Sequence, residues 1–110
     1  EVIFSSQMTE FLNMLRELNE QVGGTHYSLQ EKPSESAHLS LGQRGDVYDL
    51  MRLPVIITFN ADYATASNFL FQLRSMRRML RIEDTKFISE IYTGNLTVLV
   101  KMDIYFVEEP

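Results

Sequence analysis

Two histidines and two acidic pairs are the residues whose side chains could serve catalysis or metal binding. Neither His26 nor His38 is spaced with a second ligand as a metal site requires. In Glu83-Asp84 and Glu108-Glu109 the carboxylates are adjacent, so in a strand they point to opposite faces, which favours solvated charges over a convergent acid and base. No nucleophile elbow, phosphate-binding glycine loop or HExxH motif appears. We therefore predict a non-enzyme without catalytic, cofactor-binding or metal-binding residues.

Charge and composition narrow the class of protein further. The net charge of −5 disfavours nucleic acid as a partner, because acidic residues flank the densest basic run, which lies between Arg74 and Arg81. With 110 residues, 45% of them apolar, the chain is suited to a single domain spanning 1–110. No stretch reaches the length of a membrane span. Because the sequence begins at Glu1 rather than Met, the lack of a span here does not imply that a longer parent protein lacks a membrane anchor.

Two segments have the apolar spacing of amphipathic helices. The first is predicted over residues 1–23, with Gly23-Gly24 as its stop. Its apolar residues alternate at steps of four and three, as in a heptad seam, so we expect its N-terminal end to continue an upstream coiled coil. The second helix is predicted over residues 62–80, with Asp62 as N-cap. The first apolar stripe comprises Phe4, Met8, Phe11, Leu15, Leu18 and Val22.

Four segments have the pattern of strands: residues 25–30, 53–59, 82–91 and 96–106. The last alternates most regularly, with apolar residues at even positions from Leu96 to Phe106. Residues 31–52 contain proline, serine and glycine with little periodicity, and predict a long loop that is the most mobile part of the domain, with at most one short strand at 38–41.

An internal repeat organises these elements. The motif FLxxLR at residues 11–16 recurs at 69–74, and strands beginning at Leu53 and Leu96 also correspond. Chance alignment of two amphipathic helices is the alternative, but the shared order of helix, strand, strand favours duplication. Two such halves predict an α+β, ferredoxin-like αββαββ fold, in which a four-stranded antiparallel sheet carries both helices on one face.

Residues 47–63 carry a resemblance to a known family. Their sequence, VYDLMRLPVIITFNADY, resembles a segment of the PilO family, which has an aromatic residue, Leu-Pro, an alternating strand, a turn and a tyrosine that opens a helix. The continuation through Phe69-Leu70-x-x-Leu73 and Leu80-Arg81-Ile82 also fits, so the similarity covers roughly residues 47–107. One departure is the tripeptide Asn60-Ala61-Asp62, where the family commonly has glycine before the tyrosine.

This resemblance implies a scaffolding component of the type IV pilus inner-membrane platform. It implies a periplasmic domain with a membrane anchor upstream of it. It also implies that this domain forms a homodimer, or a heterodimer with a PilN-like protein, contacts a PilP-like lipoprotein and links the inner-membrane motor to the outer-membrane pore. Two alternatives remain: a GspM-type component of a type II secretion platform, and a cytosolic ACT-like regulatory domain. The ACT-like alternative needs a ligand loop, for which Gly42 and Gly45 are the candidates.

Candidate interface residues follow from the helical spacing. Phe71 lies off the apolar face of the second helix, and its counterpart in the first half is Asn13, so the core does not require it. We predict that Phe71 anchors a partner contact, with Arg74 and Arg78 at its rim, because aromatic and arginine side chains dominate interface energetics. Phe4 and Met8, near the start of the chain, are further candidates.

Overall fold

The computed structural model describes residues 3–40, 49–76, 79–90 and 94–108, apart from the side chains of 38–40 and 49. Six strands and two α-helices form this part of the chain. In chain order they are β1 (Ile3–Phe4), a 3-10 turn (Ser5–Gln7), α1 (Met8–Val22), β2 (Thr25–Glu31), β3 (Glu35–Ser40), β4 (Asp49–Ala61), α2 (Tyr63–Arg74), β5 (Leu80–Ser89) and β6 (Leu96–Val107).

Six strands form a sheet that is only four strands wide, because two of its four positions are each shared by two strands. The long strands β4 and β6 are antiparallel neighbours at its centre. β2 and β3 follow one another along the outer side of β4, and β5 and β1 share the outer side of β6. β4 and β5 are joined through α2 with β6 between them, which is the split βαβ arrangement of ferredoxin-like folds. The predicted α+β class is therefore confirmed, and β1, parallel to β6, is an addition to the predicted antiparallel sheet.

One face of the sheet carries the hydrophobic core. Leu53, Val55, Ile57 and Phe59 of β4 are buried opposite Ile104, Met102, Val100 and Val98 of β6. Both helices cover this face through apolar stripes, as the sequence predicts. Phe69 of α2 meets Phe59 edge-on, with ring centroids 5.0 Å apart, and Leu15 of α1 is fully buried.

The predicted repeat appears as a pseudo-two-fold arrangement of two αββ halves, α1–β2–β4 and α2–β5–β6. The shift along the sequence that aligns Leu53 with Leu96 also aligns Ile57 with Val100. Ile57 and Val100 are direct register partners. The pseudo-two-fold axis therefore passes through this central pair, so that each half supplies one central strand, one outer strand and one helix.

The ends of both helices have local causes. Gly23 adopts a left-handed φ of 104°, and its N–H and that of Gly24 return to the carbonyls of the last turn of α1. Asp62 caps α2 by accepting the Thr65 N–H at 2.7 Å, as predicted. α2 ends at Arg74 rather than at residue 80. There, the Ser75 hydroxyl donates to the Gln72 carbonyl at 2.6 Å, and the Leu80 N–H returns to the carbonyl of Met76.

Besides the end of α2, the predicted boundaries are wrong in two places. The first helix begins at Met8, because Ile3 is buried in the core and pairs with Phe106, which draws the first residues into the sheet. The predicted seam is therefore interrupted between Phe4 and Met8. The predicted 31–52 loop is also wrong in its described part, since Glu35–Ser40 forms β3 and β4 already starts at Asp49. The remainder of that prediction, including Gly42 and Gly45, lies outside the described residues.

Candidate interaction surface

The outer side of α2 presents the predicted anchor to solvent. Phe71 is 71% exposed, whereas Phe69, Leu70 and Leu73 are buried beneath it. Arg74, one turn further along the helix, is exposed and borders a shallow pocket with Leu80, Arg81 and Ile82 of β5. A large aromatic ring next to an exposed guanidinium offers both apolar area and charge-assisted hydrogen bonds to another protein.

The other predicted interface residues are distributed unevenly. Arg78 lies outside the described residues. Phe4 is 39% exposed and pairs with Val107, so it lies on the same side of β6 as β5 does. Met8 is half-buried and packs against the core, which leaves it less available to a partner than Phe4. The structure therefore places Phe4 and β5 on one edge of the sheet, and the start of β5 lies next to Arg74.

Three exposed apolar side chains near this edge were not predicted as interface residues. Tyr63, 68% exposed, begins α2, and its ring lies 5.9 Å from that of Phe87 on β5, at an interplanar angle of 45°. Phe87 is 42% exposed, and Ile88 beside it is 55% exposed. The signal was present in the pattern, because Tyr63 falls outside the apolar stripe of α2 and Phe87 belongs to an edge strand.

Each half of the repeat forms a groove between its helix and its outer strand, and the two grooves differ in chemistry. One pocket lies between α1 and β2, with Arg16 at its rim, where the other has Arg74. On the α1 side the position equivalent to Phe71 is the exposed polar residue Asn13. The exposed aromatic residues therefore concentrate on the α2–β5 side, although both sides have the same backbone plan.

The face of the sheet opposite the helices carries a group of charges. Arg52 of β4 binds Glu35 of β3 at 2.8 Å, and Arg81 of β5 lies 3.7 Å from the carboxylate of Asp103. Asp103 is only 5% exposed, and this burial raises the pKa of its carboxyl, an effect that Arg52 opposes and Glu83 reinforces. The arrangement is an ion-pair network over a mostly half-buried sheet surface.

The described residues hold no group of three or more histidine, cysteine or acidic side chains that could bind a metal ion. His26 is exposed, with a φ of 55°, and its Nδ1 atom lies 3.4 Å from both the Asn60 amide nitrogen and the Thr25 hydroxyl. These contacts fix the end of β2 against β4. No helix in the described part of the chain is long and apolar enough to cross a membrane.

Comparison with known proteins gives no matching family model and no matching curated protein. Solved structures do match. The type 4 fimbrial biogenesis protein PilO from Pseudomonas aeruginosa superimposes with a TM-score of 0.57 at 16% identity, over 87% of this chain and 66% of that one. The chain has a PilO-like fold. A structure of the core region of PilO from the type IV pilus system of the same organism is covered more fully: the match spans 88% of this chain and 94% of that one, with a TM-score of 0.51 and 15% identity.

The PilO-like fold also matches a protein from Akkermansia muciniphila. A crystal structure from that organism superimposes with a TM-score of 0.67 at 12% identity, over 92% of this chain and 51% of that one. A structure from the same organism without its transmembrane region gives 0.63 at 13% identity, over 94% of this chain and 56% of that one. The shared unit therefore comprises nearly all of this chain and only part of those longer proteins.

Proposed function

We propose that this chain is a periplasmic domain of a type IV pilus inner-membrane platform protein, and that it acts by assembly rather than by catalysis. The observation that carries the proposal is the match to the core region of PilO, which covers nearly the whole of both chains. The resemblance of residues 47–63 to a PilO-family segment supports the proposal independently. This segment leads into β4 and on to the cap of α2, where the two halves of the repeat are joined.

In this role the domain would act as one rigid unit that aligns other components. The central pair of strands β4 and β6, twelve register pairs long, provides the stiffness. A membrane anchor upstream would hold the unit at the periplasmic side of the inner membrane. Its partners would be a second copy or a PilN-like protein, together with a PilP-like lipoprotein, so that the motor on one side is linked to the pore on the other.

The partner contact would include Phe71 and Arg74 on α2. Phe71 is exposed without being needed by the core, and Arg74 lies at the rim of the adjoining pocket. Burial of an exposed phenylalanine side chain on binding removes apolar area from water and stabilises the complex by about 1.5–3 kcal/mol. Phe4 and Arg78 would lie at the periphery of this contact, and Met8, packed against the core, would contribute least.

Gene inactivation and complementation test the proposal. Loss of the gene in its own cell should remove surface pili, and the wild-type gene should restore them. The gene carrying Phe71→Ser should restore pili poorly. The free energy of unfolding of the purified variant should nevertheless lie within about 0.5 kcal/mol of the wild-type value, as expected for an exposed position. Asn13→Ser, at the equivalent position of the other half, is the matched control and should complement fully. Normal piliation without the gene would refute the proposal, and loss of protein secretion instead of pili would indicate the type II secretion platform.

A further inference from the structure

Strand β5 has one backbone edge that no strand in the described part of the chain covers. Within the described residues it pairs with β6 on one side only. The Glu90 N–H bonds to Asn95 across the hairpin at 3.0 Å, and backbone groups alternate in direction along a strand. Lys86 and Ile88 therefore direct their N–H groups towards β6, whereas those of Thr85, Phe87 and Ser89 point outwards. An edge of this kind is a template for another strand.

One outward group is occupied by the chain itself. The Thr85 N–H donates to the carboxylate of Asp84 at 2.9 Å, which is the interaction that a neighbouring carbonyl would otherwise make. A β-bulge between Ile82 and Asp84 limits the regular edge to residues 84–89. The edge is thus short and partly capped, as expected for a surface that pairs with a selected partner rather than with any strand.

The charged side chains on this edge, Asp84 and Lys86, are arranged so that two copies of the edge can pair with opposite charges facing each other. Asp84 and Lys86 lie on either side of Thr85 and point to the same face of the sheet, because they are in register with Lys101 and Leu99 of β6. If a second β5 pairs antiparallel and centred on Thr85, each Asp84 lies opposite the Lys86 of the other copy. Cross-strand pairs of opposite charge stabilise a sheet, and like charges in that position destabilise it. The equivalent edge strand β2 has no such charge pattern in Thr25–Glu31.

We propose that two copies of this chain associate through antiparallel pairing of their β5 edges about Thr85. The inference rests on the proposed function, since it adds the strand edge through which a second copy, one of the proposed partners, would bind beside the α2 contact. In the dimer the two Thr85 residues exchange backbone N–H and carbonyl bonds, and each Asp84 carboxylate leaves its own Thr85 N–H for the partner's lysine. Two sheets then become one continuous sheet, and the exposed Tyr63–Phe87 ring pairs border the junction.

Charge reversal with a mixing step tests this pairing. Asp84→Lys and Lys86→Asp should each weaken self-association, measured by sedimentation equilibrium at low salt, by about tenfold or more, because each places like charges opposite one another twice per dimer. An equimolar mixture of the two variants should associate with wild-type affinity, since every opposed pair is then complementary. The double variant Asp84→Lys/Lys86→Asp should also dimerise. Glu20→Lys and Lys32→Asp carry the same charge changes at exposed positions outside β5 and serve as controls.

Two outcomes would overturn the pairing. A monomeric wild type throughout the concentration range would exclude it, as would single variants that dimerise like the wild type while remaining folded by circular dichroism. Neither outcome bears on piliation, which is measured by gene inactivation and by Phe71→Ser on a different element. Loss of pili in the cell together with unaffected association of the β5 variants would therefore retain the proposed function and reject this interface. Dimerisation through β5, together with normal piliation in the absence of the gene, would retain this interface and reject the proposed function.

Discussion

Asn19 and Gly24 form a tight contact under the last turn of α1. Asn19 is fully buried, and neither polar atom of its amide has a hydrogen-bond partner within the part of the chain that the structure describes. A Cβ atom at Gly24 would collide with that amide. Glycine is thus required here for space, in contrast to Gly23, whose left-handed φ requires it for conformation.

We expect Gly24→Ala to lower the free energy of unfolding by about 1–3 kcal/mol, as overpacking of a filled site does. In an Asn19→Ala background the same change should cost at least about 0.5 kcal/mol less, because the obstructing amide is gone. Urea denaturation of the double-mutant cycle measures this coupling. Gly94→Ala, which meets nothing within 4 Å, should show no coupling to Asn19→Ala. Strict additivity of Gly24→Ala and Asn19→Ala would show that the two side chains do not compete for space.

The raised pKa of Asp103 makes stability depend on pH with a defined sign. Burial favours the protonated carboxyl in the folded state, so the folded chain binds this proton more tightly than the unfolded chain does. The contribution of Asp103 to stability therefore falls as pH rises from the ordinary carboxyl range through the raised pKa. Asp103→Asn should remove that fall and be more stable than the wild type at pH 7, with the difference narrowing as the pH is lowered towards the ordinary carboxyl range.

Urea denaturation between about pH 4 and 8 checks this expectation, because carboxyls with a raised pKa titrate in this range. Asp84→Asn, at an exposed carboxylate on the same face of the sheet, is the comparison variant. A wild type more stable than Asp103→Asn at pH 7 would mean that the ion pair with Arg81 outweighs the cost of burying the charge.

At the scale of elements, the sequence pattern predicted those features that depend only on interactions between neighbouring residues. The Asp62 cap, the glycine stop of α1 and the alternation of β6 were all predicted, since each depends on neighbouring residues alone. β1 could not be predicted, because Phe4 fits the helical stripe equally well and only the distant strand β6 selects the strand conformation. β3 was assigned mainly to a loop because Glu35 and Ser36 have low strand propensity. Its pairing with β4 and the Arg52–Glu35 ion pair stabilise it.

The pairing of β1 with β6 predicts an unequal response of two adjacent residues. Ile3→Ala should lower the free energy of unfolding by about 2–5 kcal/mol, because Ile3 is 5% exposed in the core. Phe4→Ala should cost about 0.5 kcal/mol or less, since that ring is substantially exposed. Thermal or urea unfolding of both variants makes the comparison. Equal and small effects would mean that the first residues leave the sheet and extend α1 as the heptad pattern suggested.

At the scale of the whole molecule, the internal repeat accounts for both the order of the elements and the position of the candidate surface. The two halves share one plan, which is why the αββαββ order could be predicted from a repeat of FLxxLR. They differ where the core imposes no requirement: Asn13 is exposed on one half and Phe71 on the other. The Tyr63–Phe87 pair could not be predicted, since it depends on the approach of α2 to β5 across the sheet.

Site-specific photo-crosslinking in the protein's own cell tests the central claim, that this domain works by binding other platform proteins through its α2 side. A photoreactive amino acid would replace Phe71 in one strain and Asn13, its equivalent in the repeat, in another. We predict a strong adduct from position 71 to a second inner-membrane pilus component or a second copy, and little or none from position 13. Absence of any adduct from position 71, or equal adducts from both positions, would contradict the account.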